Sequence, residues 1–378
     1  SVSSIEVGCS LGYSRWQALW KLALPMARPA IIAGLSLALM ETLADYGTVQ
    51  YYGVSTFTTG IFRTFYGYGD TAAAAQLAAS LLAFVILLVL LERYSRRRAR
   101  YHSAAESRAR ADLIPLSGSK AIMACVICLS PLMFGFIIPA TQLLFWAVFE
   151  AEPLGWDFVG LAWNSFSLAF LAAIIAVILA IILSYAKRTK PIKPVRTVLA
   201  MAGFGYALPG TIIAIGVLIP LAWLDHRLID IFGSLGWDSP GLLLSGSLVA
   251  LLFAYTVRFL AVALGSVQSG LEKIKPSLDQ AGRSMGHSPL DILRKIHVPL
   301  MRSSILTAVL IVFVDVLKEL PATLILRPFN FNTMAVRAYE LASDERLVDA
   351  APASIMIVLV GLIPVLMLHA SIARRRPH

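Results

Sequence analysis

A stretch of 27 residues occurs twice in this chain, and its duplication constrains the possible folds more than any other feature. The first copy runs from Ile5 to Ile31 and the second from Asp279 to Ile305, offset by 274 residues without gaps. Because an internal repeat marks the structural unit of a fold, we expect two similar halves that present the same surface. Nine positions are identical: Gly8/Gly282, Ser10/Ser284, Gly12/Gly286, Ser14/Ser288, Leu19/Leu293, Lys21/Lys295, Pro25/Pro299, Arg28/Arg302 and Ile31/Ile305.

The duplication extends beyond these 27 residues to about residue 100, with Asp45 matching Glu319 and Arg63 matching Arg337. The second copy is preceded by about 150 residues that the first lacks, so we expect the first half to be incomplete at its N-terminus. The domains expected from this alignment are the C-terminal part of a first half at 1–92, a cytoplasmic linker at 93–120 and a complete second half at 121–378, whose loop is 272–303.

The composition is that of a membrane protein, with 58% hydrophobic and 14% charged residues and a mean hydropathy of +0.76. A helix that crosses the hydrocarbon core needs about 20 apolar residues. We therefore predict an all-α integral membrane protein in contact with lipid. Its eight expected spanning helices are 30–46, 71–92, 121–148, 163–186, 197–224, 241–266, 304–326 and 351–373.

The distribution of Lys and Arg orients these helices, since basic residues are enriched in cytoplasmic loops. With both repeated loops inside, the cytoplasmic segments hold 25 of the 32 basic residues, and the C-terminus is cytoplasmic. The opposite loop at 149–160 carries Glu150, Glu152 and Asp157 and no basic residue. The net charge of +10 is then explained by topology, and the basic run from Arg93 to Arg100 indicates a lipid-facing anchor rather than a nucleic-acid site.

No pattern of residues points to catalysis by this chain. There is no GxxxxGK[ST] phosphate-binding loop, and the six histidines have no ligand spacing. Cys125 and Cys128 have the spacing of a redox or metal motif, but they lie in an apolar run that favours helix packing. We expect no catalytic residue, no tightly bound metal and no cofactor in the chain itself.

Each repeated loop has an acid or amide, Glu6 or Gln280, six residues before a glycine, Gly12 or Gly286. The glycine permits a sharp turn or a close backbone approach. Apolar residues at helical spacing follow, and a proline is expected to end the helix. This pattern predicts a short cytoplasmic helix, either resting on the membrane or docking on a partner, and the duplication favours docking. The candidate docking residues are Glu6, Gly12, Trp16, Leu19, Pro25, Gln280, Gly286, Leu290, Leu293 and Pro299.

These residues resemble the EAA loop of binding-protein-dependent ABC import permeases. The patterns are E-V-G-x-x-x-G…L-P-x-x-R-P in the first copy and Q-A-G-x-x-x-G…V-P-x-x-R in the second. Departures from the family motif are Val7, Gly8, Gly282 and Gln280. The resemblance implies the type I permease fold in a bacterial inner membrane, and loops that fit a homodimeric cytoplasmic ATPase, which binds ATP and Mg²⁺. It also implies a periplasmic substrate-binding protein. Two fused halves are similar to the ferric-iron permease branch.

A second set of residues, all ionisable and within or beside predicted spanning helices, is a candidate translocation pathway. Such residues are costly in a membrane and usually face a bundle interior or a water-filled path. Asp45 and Glu319 could line a cation path near the outer mouth, or Lys318 could simply neutralise its acidic neighbours. A carboxylate on a neighbouring helix is the simplest expected partner for Arg258. The set is Asp45, Arg258, Asp315, Lys318 and Glu319.

Ferric iron is the expected substrate, because hard cations prefer oxygen ligands and carboxylates lie at the predicted mouth. Thiamine and polyamine importers have similar loops and are the close alternatives. A secondary transporter driven by an ion gradient is a more remote alternative. Inverted repeats are common in that class, whereas here both loops must be cytoplasmic.

Overall fold

The computed structural model describes residues 2–97, 116–153, 155–239 and 241–373, and the regular elements in these ranges are all helical. The α-helices are α1 (Val2–Ser10), α2 (Arg15–Ala18), α3 (Leu24–Ala44), α4 (Gly47–Tyr51), α5 (Phe57–Phe62), α6 (Thr71–Arg97), α7 (Ser119–Leu132), α8 (Ile138–Phe145), α9 (Trp156–Thr189), α10 (Lys193–Ala202), α11 (Gly210–Ser234), α12 (Leu248–Glu272), α13 (Pro276–Ser284), α14 (Pro289–Ile292), α15 (Val298–Leu317), α16 (Pro321–Leu326), α17 (Met334–Ser343) and α18 (Leu347–Ala373). Single π-helical turns occupy Leu19–Ala23, Arg63–Gly67, Met133–Ile137, Trp146–Glu150 and Leu293–His297, and a 3₁₀ turn occupies Gly205–Ala207.

Within the described ranges, six helical stretches are long and apolar enough to cross a membrane. A bent pair of helices, Arg15–Arg28 and Ala30–Ala44, could form a seventh span. The shorter apolar stretch Leu347–Ile363 is the candidate for an eighth. The all-α membrane fold is confirmed, and about eight spans is compatible with these positions. The six stretches are Thr71–Leu91, Ser119–Glu150, Trp156–Thr189, Gly210–Ser234, Leu248–Glu272 and Pro289–Leu317.

Two of the predicted spans have wrong bounds. The segment predicted at 197–224 is divided, because α10 ends at Ala202 and the next span begins only at Gly210. In the intervening turn, a Cβ on Gly205 would overlap the carbonyl oxygen of Val257, so the backbone packs directly on α12. The segment predicted at 304–326 belongs to a span that ends at Leu317, after which α16 forms a separate short helix.

The chain forms two compact units, of which the larger comprises Ala44–Leu81 and Gln142–His378. Its centre is the mutual packing of α9, α12 and α15. Alanines at helical spacing make up much of the buried face of α9, and a Cβ on Gly270 of α12 would lie 2.6 Å from Cβ of Ser304. Small residues let helix backbones approach closely where lipid provides no hydrophobic force between helices. The buried alanines of α9 are Ala169, Ala172, Ala173, Ala176 and Ala180.

The smaller unit comprises Ser1–Leu43 and Leu82–Thr141. It contains the first repeated loop, in which α1 packs on α2 and on the π-helical turn that follows. Helix α7 buries none of its residues. Most of the predicted linker at 93–120 lies outside the described residues, which resume at residue 116.

Candidate functional site

The two repeated loops have the same local structure. In each, a nine-residue helix, α1 or α13, is followed by a turn and by a second helix, α2 or α14, that begins at the matching position. A serine caps the second helix in both: Gln17 N donates to Oγ of Ser14 over 3.3 Å, and Asp291 N to Oγ of Ser288 over 3.2 Å. The sequence repeat therefore encodes a repeated helix–turn–helix.

The turn depends on one glycine in each loop. Gly12 has φ +87° and Gly286 has φ +80°, and no other atom lies near the position that a Cβ would take. Tyr13 N donates to the carbonyl oxygen of Gly8, and Gly12 N to that of Cys9. This is the Schellman end of a helix, which favours glycine in the left-handed conformation. Of the two roles expected for this glycine, the sharp turn is the one observed.

Close approach is instead the role of Gly8 and Gly282, which replace an alanine of the family motif. A Cβ on Gly8 would lie 2.6 Å from Cβ of Ala18, and a Cβ on Gly282 would lie 2.9 Å from Cγ1 of Ile292. Both distances are shorter than van der Waals contact permits. The departure from the motif thus brings the two short helices of each loop together.

The expectation that Pro25 and Pro299 end a short helix is wrong. A π-helical turn precedes each proline, with Leu24 N donating to Leu19 O and Val298 N to Leu293 O, and the helix then continues as α3 or α15. A proline ring clashes with the carbonyl four residues earlier in a regular α-helix. The wider π turn moves that carbonyl away, so the helix continues past each proline, and in the first copy it then bends by 59° between Arg28 and Ala30.

Several predicted docking residues are on the surface. Glu6, Gln280 and Gly286 are exposed, and so are Trp16, 70% exposed, and Leu290, 52% exposed. Leu19 is 37% exposed, Leu293 and Pro25 are partly buried, and Pro299 is exposed. Large exposed apolar side chains are typical of a surface that contacts a partner or lipid. Their role in docking stays a prediction.

Two side chains that the sequence analysis did not single out, one outside the second loop and one within it, contact Asp279. Arg188 binds Asp279, with Nε and Nη2 at 2.9 and 2.5 Å from Oδ2, and His297 places Nε2 2.9 Å from Oδ1 of the same carboxylate. The ring N–H of His297 is not aligned for a hydrogen bond to this carboxylate. Arg188 lies near the end of α9, and nothing in the spacing of the sequence indicated its partner.

Of the candidate pathway residues, Arg258 and Glu319 form a buried ion pair, with Nη1 and Oε1 2.7 Å apart. The carboxylate partner expected for Arg258 is therefore Glu319. Oε1 of Glu319 also accepts from Ala322 N over 3.0 Å, and Oε2 accepts from the backbone and hydroxyl of Thr323. Glu319 thus supplies acceptors to the free N–H groups at the start of α16.

Asp45 has the matching position in the first copy and a similar local contact, since its Oδ1 accepts from Thr48 N at the start of α4. It is half-buried, whereas Glu319 is buried. Lys318 lies 3.1 Å from Asp315, as the charge-neutralising interpretation expects. Whether any of these residues lines a pathway stays a prediction.

In the larger unit, the segments that follow α3 and α15 contact each other through tyrosines. The hydroxyls of Tyr46 and Tyr339 are 2.9 Å apart, and Tyr66 donates to the carbonyl oxygen of Leu324 over 2.5 Å. The ring of Tyr46 also stacks on Phe62, with centroids 3.7 Å apart. Polar contacts on aromatic side chains therefore join these segments.

Replacing Tyr46 with Phe should make the permease less sensitive to alkali. Burial raises the pKa of Tyr46, and the Tyr339 hydroxyl raises it further. The pKa of tyrosine in the unfolded chain is about 10. The raised pKa of Tyr46 therefore stabilises the folded state below pH 10, and this stabilisation is lost as the pH rises above 10. We expect thermal stability in detergent to fall above pH 10 less steeply in Tyr46→Phe than in wild type. The exposed Tyr52→Phe is the control, and equal slopes in all three proteins would contradict the assignment.

An open cleft of about 770 Å³ lies in the larger unit, between the acidic loop at 149–160 and the helices α17 and α18. Arg346 bridges Glu152 and Asp349 at 3.3 and 2.8 Å. The two carboxylates raise the pKa of Arg346. Amides from Asn164, Asn330 and Asn332 also line the cleft. Among the described residues, no group of three His, Cys, Asp or Glu side chains is arranged to hold a metal ion.

Known proteins with similar sequences include permeases of two kinds. The Fe(3+)-transport system permease protein FbpB 2 of Haemophilus influenzae is 26% identical over 368 residues, covering 96% of this chain and 70% of that protein. The ferric transport system permease protein FbpB of Actinobacillus pleuropneumoniae is 22% identical, and this chain spans 52% of its length. A putative 2-aminoethylphosphonate transport system permease protein, PhnV of Salmonella typhimurium, is 23% identical over 54% of this chain and 72% of its own length.

Matches among solved structures include the MetNI methionine ABC transporter, with a TM-score of 0.40, 18% identity and coverage of 57% of this chain and 99% of that one. A bacterial ABC transporter that imports alginate gives a TM-score of 0.47, 13% identity and coverage of 68% and 96%. The family described as the binding-protein-dependent transport system inner membrane component matches residues 3–101 and 192–376, which include both repeated loops. The chain belongs to this family and is a multi-pass permease of an ABC importer.

Proposed function

We propose that both loops dock on a homodimeric cytoplasmic ATPase, which binds ATP and Mg²⁺ and drives import through this permease. The observation that carries the proposal is the duplicated helix–turn–helix with exposed apolar side chains, of which Trp16 and Leu290 occupy the same position in the two copies. A partner with two-fold symmetry has two equivalent surfaces and needs two similar ones opposite. A helix that merely rested on the membrane would not require the same turn twice.

The proposed cargo is ferric iron delivered by a periplasmic binding protein. Similarity to two ferric transport permeases over nearly the whole chain supports this proposal. The half-buried carboxylate of Asp45 supplies the oxygen ligands that a hard trivalent cation prefers. High affinity would then belong to the binding protein, because a permease that held the ion tightly would release it slowly.

A phosphonate is the second candidate, supported by the similarity to PhnV over about half of the chain. Arg337, which is exposed at the cleft, would suit an anion. Thiamine and polyamines stay as further alternatives.

Iron uptake should require this gene and should fall in Asp45→Asn. The test is uptake of radiolabelled ferric ion by cells that lack their other iron importers. Asparagine keeps an oxygen acceptor for Thr48 N and removes only the charge, so the fold should be retained. Asp70→Asn is the matched control, because Asp70 also caps a helix in the outward part of the first copy, accepting from Ala73 N.

If iron uptake is normal after deletion of the gene and uptake of phosphonate, thiamine or spermidine is lost, then the lost compound is the cargo and iron is not. Normal iron uptake in Asp45→Asn alone would leave the cargo unchanged and remove Asp45 from the pathway.

A further inference from the structure

The second docking loop is held to two spanning helices by one guanidinium group. Nη1 of Arg188, at the end of α9, donates to the carbonyl oxygen of Leu271 over 2.7 Å, and Nη2 donates to that of Ile274 over 2.9 Å. Leu271 lies in the last turn of α12 and Ile274 lies two residues beyond the helix, where carbonyls have no partner within the helix ladder. The same guanidinium binds Asp279 in α13 through Nε and Nη2. Arg188 therefore joins α9, α12 and α13.

His297 extends this connection to the start of the long helix that ends at Leu317. The imidazole is fully buried, lies 2.9 Å from Asp279 and makes an edge contact with the ring of Tyr185, with centroids 5.5 Å apart. Tyr185, one turn before Arg188, donates its hydroxyl to the carbonyl oxygen of Pro289 over 2.6 Å. The end of α9 thus contacts both short helices of the loop and the π-helical turn between α14 and α15.

The first loop cannot form the same contacts. Ile5 and Ala23 stand at the positions of Asp279 and His297, so the carboxylate and the imidazole are both missing. The turn, the serine cap and the close glycine are nevertheless the same in both copies. The two loops therefore share a docking surface and differ in how they are attached.

We propose that Arg188, Asp279 and His297 form a clamp that passes displacement of the second loop to α9 and α12, and that the first loop works without one. This inference rests on the proposed docking of an ATPase. Arg188 and Asp279 are each 17% exposed and hydrogen-bonded, so the clamp is a stiff connection between loop and bundle. The two halves of the ATPase would then act on the permease through loops that are attached differently.

The clamp can be tested on the permease by itself, whatever its cargo. Hydrogen exchange of the α13 backbone amides should be at least about tenfold faster in Arg188→Gln and in Asp279→Asn than in wild type, because the loop opens more often when its attachment is lost. Lys187→Gln is the control, since it removes an exposed positive charge from the adjacent residue. Unchanged exchange in both clamp variants would overturn the inference.

Its role in coupling is tested in proteoliposomes that contain the permease, its ATPase and the iron-loaded binding protein. Arg188→Gln and Asp279→Asn should keep ATP hydrolysis and lower the iron imported per ATP by at least about fivefold, and the double variant should be no worse than either single one. Transport per ATP equal to wild type in these variants would overturn the coupling role. If wild type imports no iron, the proposed cargo fails, and the exchange measurement still decides whether the clamp exists.

Discussion

Valine in place of Gly286, or of Gly12, is expected to reduce uptake by the assembled transporter to background while the permease stays in the membrane. Both glycines have φ near +80°, a conformation that costs an ordinary L-residue about 1–2 kcal/mol and a β-branched residue more. The strain would be relieved by a different turn, which would redirect the second helix and its exposed apolar residues. Uptake of the cargo and the amount of permease in isolated membranes are the two measurements.

Two variants separate the turn from general effects of the substitution. Asparagine tolerates the left-handed conformation, so Gly286→Asn should retain more transport than Gly286→Val. Gly216→Val should transport normally, since Gly216 is exposed in α11 with a helical φ and open space at the Cβ position. Full transport by both valine variants of the loops would contradict the docking role of the turn.

Removing one partner of the Arg258–Glu319 pair should destabilise the permease by about 3 kcal/mol or more, because an uncompensated charge then stays buried. The side chain of Glu319 is 2% exposed, so water cannot replace the lost partner. Glu319→Ala also leaves Ala322 N and Thr323 N without an acceptor. We expect Arg258→Met and Glu319→Ala to lower the thermal stability of the permease, measured by unfolding in detergent.

The double variant Arg258→Met/Glu319→Met should recover part of this loss, since no unpaired charge remains. Lys318→Met should change little, because Lys318 is 52% exposed and pairs with Asp315 at the surface. If Glu319→Ala folds with wild-type stability and only uptake is lost, Glu319 belongs to the pathway and its structural role is wrong.

Much of the architecture could be predicted from the sequence because its determinants are local. The apolar segments are long enough to need a membrane, and their backbone groups must then be satisfied within helices. The repeat predicted two equivalent loops because the same residues at the same spacing form the same turn, as Gly12 and Gly286 do. Serine caps and left-handed glycines depend on a few neighbouring residues, so their positions are visible in the sequence.

Errors arose where a residue's behaviour depended on its neighbours in the fold. Proline usually ends a helix, but a π-helical turn before Pro25 and Pro299 lets the helix continue. The span predicted at 197–224 is interrupted because Gly205 packs against the backbone of α12, which lies about fifty residues further along the chain.

The sequence by itself therefore determined the helical membrane fold, the duplication and the common structure of the two repeated loops, which depend on periodicity, length and local turn chemistry. Only the tertiary structure decided the partners of the buried charges. Glu319 pairs with Arg258, 61 residues away, rather than with the adjacent Lys318, and Asp279 pairs with Arg188, 91 residues away. Charges within a low-dielectric interior need a partner, but which one they find depends on how the helices pack.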